Sequence, residues 1–257
     1  MITSNSGLTI VNENFSVVLS HQRPSSVILT VPHDGLIAND FSRMFQERQH
    51  GWKGRDLYVW PIANEIIQQC LQSEMKVNAV RFLMARAYVD ANREMLDQDM
   101  IGQTALEDRR LTGIYRHYHS EISRLLELSL EAFGDDKVLL IDLHGFGKQP
   151  EFAPPKGYDL ILGTANRTTI RYGEIDRIFA QSMRNCGYRV FLPSEKSVVP
   201  NKSDPYSAGH TTRWYSKQFG INTLQIEISS RFRNKESKKL GEQLAVDIAG
   251  FLSEQCP

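Results

Sequence analysis

Short runs of apolar, mostly β-branched residues recur along the chain. They are Val27-Ile28-Leu29-Thr30-Val31 before Pro32, Ala79 to Leu83, Val138-Leu139-Leu140-Ile141 before Asp142, Leu160-Ile161-Leu162 before Gly163, Arg189 to Leu192, and Thr223 to Ile228. Unbroken apolar runs of this length predict strands buried on both faces. Between them the period changes to that of a helix. Ile62, Ile66, Cys70 and Leu71 share one face, as do Tyr115, Tyr118, Ile122, Leu125 and Leu126, and again Leu240, Leu244, Ile248, Phe251 and Leu252. Such stripes predict amphipathic helices that pack on a core, the last spanning Glu236 to Gln255. Strands alternating with helices predict an α/β domain with a mixed, mostly parallel sheet and helices on both faces. In sheets of this kind ligands gather at the carboxyl ends of the strands.

Composition narrows the picture. With 257 residues, 41% of them hydrophobic, the chain can bury a full core without disulfide or metal staples. No repeat and no long Pro-, Gly- or Ser-rich linker divides it, so residues 1–257 read as one domain. Thirty basic and thirty acidic side chains cancel, which argues against a nucleic-acid or anionic-lipid partner. The nearest basic cluster, Arg231, Arg233, Lys235, Lys238 and Lys239, is broken by Glu236. Cys70, Cys186 and Cys256 are too few and too scattered for a disulfide framework. The segment Met1 to Glu13 is polar, without the order of a signal peptide, and no stretch approaches the roughly 20 apolar residues of a membrane helix. The expected compartment is the cytoplasm.

Two of the strand ends carry a histidine before glycine: Val31-Pro32-His33-Asp34-Gly35 and Asp142-Leu143-His144-Gly145-Phe146-Gly147. Both histidines are expected to emerge where a strand opens into a tight turn. Imidazole is the commonest zinc ligand, and a catalytic zinc has three protein ligands and one open position. The third ligand is sought at Asp56, in Gly54-Arg55-Asp56-Leu57, where the competing role is a helix N-cap. Asp142 is the alternative ligand, or a residue that orients His144 from behind, since positions 142 and 144 share a strand face. In Leu224-Gln225-Ile226-Glu227-Ile228-Ser229 the polar residues alternate with the apolar ones. A half-buried Glu227 could move protons beside a metal-bound water; the alternative is an edge strand with a solvated face.

Arginines supply candidate anion grips. Tyr88-Val89-Asp90-Ala91-Asn92-Arg93 reads as a strand closing on an Asn-Arg pair, and Gly209-His210-Thr211-Thr212-Arg213 as a loop entering a helix. Either guanidinium could hold a carboxylate through paired hydrogen bonds. His117 and His119 fall on different faces of one helix, and His119 could line the site or the core. Gly145 and Gly147 lack the third glycine of a dinucleotide fingerprint, and neither a Gly-x-Ser-x-Gly elbow nor a P-loop lysine is present.

Read in order, and joined by Tyr118-His119 and Tyr158-Asp159-Leu160-Ile161-Leu162-Gly163-Thr164, these segments resemble the N-formylglutamate amidohydrolase family from about residue 27 to about residue 231. The resemblance implies a relative of the zinc carboxypeptidases: a three-layer α/β/α fold of the zinc-exopeptidase, phosphorylase/hydrolase-like type with a mixed sheet and one zinc. It implies His33, Asp56 and His144 as zinc ligands and Glu227 as general base. It further implies that Asn92 and Arg93, with His119 nearby, hold a substrate carboxylate, and that Arg213 assists them or polarises the scissile carbonyl. The implied reaction is hydrolysis of a small N-acyl amino acid, N-formyl-L-glutamate giving formate and glutamate. A larger acyl group, a peptide end, or a binding role without catalysis are the rival readings. The sequence departs from the family pattern around Trp52 to Trp60, in the basic Phe232-Arg233-Asn234-Lys235, and at Ala165-Asn166-Arg167-Thr168, where the family is richer in glycine.

Overall fold

A computed structural model describes residues 2–3, 8–21, 23–37, 44–95, 104–151, 153–192 and 206–256. Of the polar opening segment, residues 1 and 4–7 lie outside the described residues. The chain runs β1 (Ile2–Thr3), β2 (Leu8–Glu13), β3 (Ser16–His21), β4 (Val27–Val31), α1 (Val59–Gln72), β5 (Val77–Phe82), α2 (Thr112–Phe133), β6 (Leu139–Phe146), β7 (Leu160–Gly163), α3 (Ile175–Asn185), β8 (Val190–Phe191), α4 (His210–Phe219), β9 (Asn222–Ser229) and α5 (Lys238–Gln255).

These strands form one mixed sheet in the order β1-β2-β3-β5-β4-β6-β9-β7-β8. Its centre, β5-β4-β6-β9, is parallel. Antiparallel pairings flank it, β3 against β5 on one side and β7 against β9 on the other. The three N-terminal strands were not foreseen, because they have no unbroken apolar run: β3 alternates buried and half-buried positions, as a strand near the sheet margin does.

Alternation along the central strands sorts side chains into two cores. Leu29, Val31, Ile141, Leu143, Leu224, Ile226 and Ile228 pack under α1, α3 and α5. Ile28, Leu140, Val80 and Phe82 pack on the other face with Tyr115, Tyr118, Ile122, Leu125 and Leu126 of α2 and Tyr215 of α4. The result is the expected three-layer α/β/α arrangement. Leu240 departs from the predicted stripe of α5 and is 43% exposed. Gly241 takes the inner position instead, because a Cβ there would come within 2.6 Å of the Phe232 carbonyl oxygen.

Three local expectations change. Residues 88–93 form turns, not a strand: Asp90 Oδ1 accepts the Asn92 N–H at 3.0 Å, and the Asp90 carbonyl accepts the Arg93 N–H at 3.2 Å, folding the backbone on itself. Strand β6 does not stop before Asp142; its ladder with β9 continues through His144↔Glu227 to Phe146↔Ser229, so His144 projects from the strand itself. Strand β9 is interior, paired on both sides and buried throughout, so Glu227 has no solvated edge.

Candidate metal centre and active site

The second core face, so apolar near the sheet's midpoint, turns polar where β4, β6 and β9 end. His33 lies two residues beyond β4 and is 2% exposed. Asp142 and His144 share this face of β6, and Gln225 and Glu227 continue it on β9, register partner beside register partner. Asp56 arrives from the segment before α1, held by its backbone N–H to the His33 carbonyl at 2.9 Å. It does not cap α1, which begins at Val59 after Tyr58 and has no side-chain cap. Its Oδ2 instead accepts the Gly145 N–H at 3.1 Å.

His33, Asp56 and His144, all buried, each place one ligating atom within 4.8 Å of the others. Both imidazoles use Nε2 outward: His33 Nε2 is 2.7 Å from Asp90 Oδ1 and His144 Nε2 is 2.8 Å from Asp142 Oδ2. A carboxylate only accepts, so the Nε2 atoms carry protons and the Nδ1 atoms present lone pairs inward. There Asp56 Oδ2 stands 3.5 Å from His33 Nδ1 and 3.3 Å from His144 Nδ1. Three acceptors converge, and among the described residues His33 Nδ1 is buried without a hydrogen-bond partner. Only positive charge placed between them relieves this, either a proton on His144 or a metal ion.

The separations also suit a metal. Ligands on arms of roughly 2 Å in a tetrahedral site stand about 3.3 Å apart. The outward carboxylates complete the pattern in which a ligating histidine is oriented from behind. Asp142 takes this orienting place, its second oxygen receiving the Thr30 hydroxyl at 2.6 Å. The residues present fit a metal ion bound by His33 Nδ1, Asp56 and His144 Nδ1.

The electrostatics follow from burial and pairing. Burial works against the charge of Asp56, but the neighbouring His144 and His33 rings hold its carboxyl well below the usual carboxylate range. Burial likewise opposes a charged His144, yet Asp142 and Asp56 hold it well above the ordinary imidazole value. Asp90 is fully buried, and the Arg86 guanidinium and His33 more than offset that burial, keeping it ionised. Glu227 has weaker support. Burial pushes its carboxyl up to about 7, against the nearby His144 and with the nearby Asp56. Gln225 Nε2 donates to its Oε1 at 3.0 Å.

The other predicted residues fall around this centre. Asn92 is buried, its Oδ1 accepting the Thr211 N–H at 2.8 Å and its Nδ2 lying 3.1 Å from His144 Nε2. Gly209 makes room for it, since a Cβ there would fall 2.1 Å from Asn92 Nδ2. Arg93 is half-buried and donates through Nη1 to the Asn92 carbonyl at 2.9 Å. His119 lies against Tyr115, Tyr118, Tyr215 and His210, with Nε2 donating to the Ala91 carbonyl at 3.0 Å. Arg213 is exposed on α4, and its described hydrogen bond goes to Ser207 Oγ at 2.8 Å. His117 shows no comparable placement.

Sequence reading missed three buried arginines. Arg86 donates through Nε to Asp90 Oδ2 at 2.8 Å, and its Nη1 is 3.9 Å from Asp56 Oδ1. Arg48 Nη1 reaches the same Asp90 oxygen, at 3.5 Å. Arg233, counted above in the basic surface cluster, is 7% exposed and donates to the carbonyls of Ile228 (2.8 Å), Phe146 (3.0 Å) and Leu57. Gly145 is what lets it through: a Cβ there would lie 2.1 Å from Arg233 Cζ. The Ala165-Asn166-Arg167 turn adopts positive φ at all three residues (46°, 57° and 64°), the conformation that glycine would take at lower cost.

No curated protein matches the chain in sequence. Among solved structures, the fold is similar to an N-formylglutamate amidohydrolase from Ralstonia eutropha JMP134, with TM-score 0.65 and 16% identity over 94% of this chain and 99% of that one. It is also similar to a gene product of Agrobacterium tumefaciens, with TM-score 0.60 and 16% identity over 97% and 93% of the two chains. A more distant likeness, TM-score 0.50 and 10% identity over 98% and 75%, is to a succinylglutamate desuccinylase from Vibrio parahaemolyticus. At such identities the likeness establishes the fold. The sequence model of N-formylglutamate amidohydrolases matches residues 103–232, about half of the chain and including His119, His144, Arg213 and Glu227, so the protein belongs to the N-formylglutamate amidohydrolase family.

Proposed function

We propose that this protein is a zinc-dependent amidohydrolase that cleaves a small N-acyl amino acid, with N-formyl-L-glutamate as the first substrate to test. Family membership supports amide hydrolysis. The observation that carries the metal reading is the convergence of His33 Nδ1, Asp56 Oδ2 and His144 Nδ1, with Glu227 in register beside His144. Zinc held by these three residues would supply a Lewis acid and acidify a water molecule.

The chain's own residues do the rest. Glu227, its carboxyl raised to about 7, accepts a proton from the attacking water near neutral pH and can return it to the departing amine nitrogen. Gln225 fixes one carboxylate oxygen and leaves the other for this exchange. Among the described residues Arg86 is the cation within 4 Å of Asp56, and it also pairs with Asp90, which makes it better placed than the exposed Arg213 to favour negative charge on the carbonyl oxygen. Arg93 is assigned the substrate carboxylate, binding energy remote from the broken bond that orients the amide. Asn92 is assigned to seating the start of α4 against His144. Residues 1–257 act as one unit, a reading supported by the single sheet, and three unpaired cysteines suit a reducing cytoplasm. Among the described residues no helix is long and apolar enough to cross a membrane.

The test is amine release from N-formyl, N-acetyl, N-succinyl and peptide substrates ending in acidic or neutral residues, with and without a chelator. Chelator-sensitive release from N-formylglutamate is the expected result. Release from other members of the panel alone would move the specificity, and chelator-insensitive release would overturn the metal assignment.

A further inference from the structure

Asp90 is surrounded by more positive charge than orienting one histidine requires. Its Oδ1 accepts a hydrogen bond from His33 Nε2–H, and its Oδ2 faces two guanidinium groups, Arg86 Nε at 2.8 Å and Arg48 Nη1 at 3.5 Å. Arg48 is the less expected of the two. It comes from a segment forty-two residues earlier in the chain than Asp90 and is 1% exposed. It donates to three backbone carbonyls on separate stretches: Thr104 through Nε (3.2 Å), and Trp52 and Arg86 through Nη1 (3.3 and 3.0 Å).

Burying a guanidinium is costly, and an apolar side chain of equal size often stabilises a fold as well or better. Arg48 is also imperfectly satisfied, for its Nη2 is buried with no hydrogen-bond partner among the described residues. What an apolar residue could not do is hold Asp90 from the side opposite His33. We infer that Arg48 is a positioning residue for the metal centre, acting through Asp90 to fix the ring of His33 with Nδ1 aimed inward. The inference rests on the proposed metal site. Arg86 meets Asp90 from its own turn four residues away, whereas Arg48 ties Asp90 to the segments around residues 48–52 and 104. The carboxylate thereby becomes a fixed point between them.

Zinc affinity, measured by competition with a chromophoric chelator, tests this on wild type, Arg48→Met and Arg48→Lys, alongside melting curves with and without zinc. Arg48→Met should bind zinc more weakly, by up to the roughly 10- to 100-fold that is usual for losing the carboxylate that orients a ligating histidine. Arg48→Lys, which keeps a cation but not the fork, should fall between. The gain in melting temperature on adding zinc should shrink in the same order. Altered visible bands in the cobalt-substituted Arg48→Lys protein would report the changed ligand geometry. If Arg48→Met does not fold, the affinity and bands of Arg48→Lys decide. Wild-type affinity and cobalt bands in the variants, with melting lowered equally in metal-loaded and metal-free protein, would make Arg48 a staple of the fold and overturn the inference. Wild-type protein that binds no zinc would instead overturn the metal site, and the inference with it.

Discussion

Glu227 stands directly across from His144 in the parallel ladder of β6 and β9. Adjacent strands lie about 4.8 Å apart, so the carboxylate and the imidazole rise side by side from one face. Among the described residues, the three that converge on the candidate metal site do not include Glu227. Glu227→Gln should therefore keep its metal and lose roughly 100- to 10,000-fold in kcat, as removal of a general base does. Metal content measured on the same sample separates this from a ligand role, which would show as lost zinc.

Among the described residues the Arg93 side chain makes one hydrogen bond, to the Asn92 carbonyl, and a guanidinium has five N–H donors. Arg93→Ala should raise KM for substrates ending in a carboxylate by at least about tenfold, the scale of one charged hydrogen-bonded contact. Zinc content should not change. Equal kinetics on acidic and amidated substrates in wild-type enzyme would remove this assignment.

Gly145 matters to stability through a side chain eighty-eight residues away. Arg233 passes where a Cβ would sit and bonds carbonyls of β6, β9 and the segment after Asp56. Gly145→Ala should displace that guanidinium and lower the unfolding free energy by about 1–3 kcal/mol, the usual cost of overpacking. Denaturant titration reads this. An unchanged midpoint would mean that Arg233 re-seats without penalty.

Two histidines set a pH dependence of stability. Burial, with His210 nearby, pushes His119 down to about 3, and burial, with Arg93 nearby, pushes His210 down to about 4. The unfolded chain protonates both near 6.5. Below that pH the unfolded state binds more protons, so their contribution is complete above pH 6.5 and is lost as pH falls toward 4 and 3. Each contributes a slope of up to about 1.4 kcal/mol per pH unit. Unfolding measured from pH 7 to 4 should fall less steeply in His119→Gln than in wild type; parallel curves would refute the effect.

His33, His144 and Glu227 were legible because polar residues at the end of an apolar run, or alternating within one, have few reasons to be there. Asp56 was legible only as one of two readings, since a carboxylate ahead of a helix looks the same whether it caps or ligates. The fold removes the cap, since Asp56 accepts from Gly145, eighty-nine residues on, and α1 has no side-chain cap; its place beside His33 and His144 suits the ligand reading. Arg48, Arg86 and Arg233 left no trace in the pattern. Arginine is ordinarily a surface residue, and what buries these three is a set of backbone carbonyls and carboxylates that only the folded chain assembles. The margin strands escaped notice for a related reason: half-buried positions mix polar and apolar residues without the uniform run that marks the sheet's centre.

Both inward-facing histidine atoms are Nδ1, the ring nitrogen adjacent to the carbon that joins the imidazole to its side chain. A cation bound at His144 is separated from the β6 backbone by few rotatable bonds, and it inherits the stiffness of the β6–β9 ladder. Arg93 and Arg213, by contrast, sit on a turn and on a helix surface. On the proposed roles, the general base and one metal ligand are thus carried by strands, and the groups assigned to the substrate by a turn and a helix. On those same roles, such a scaffold can exchange the acyl or amino acid group it accepts by altering that turn and helix, while His144 and Glu227 remain anchored in the sheet.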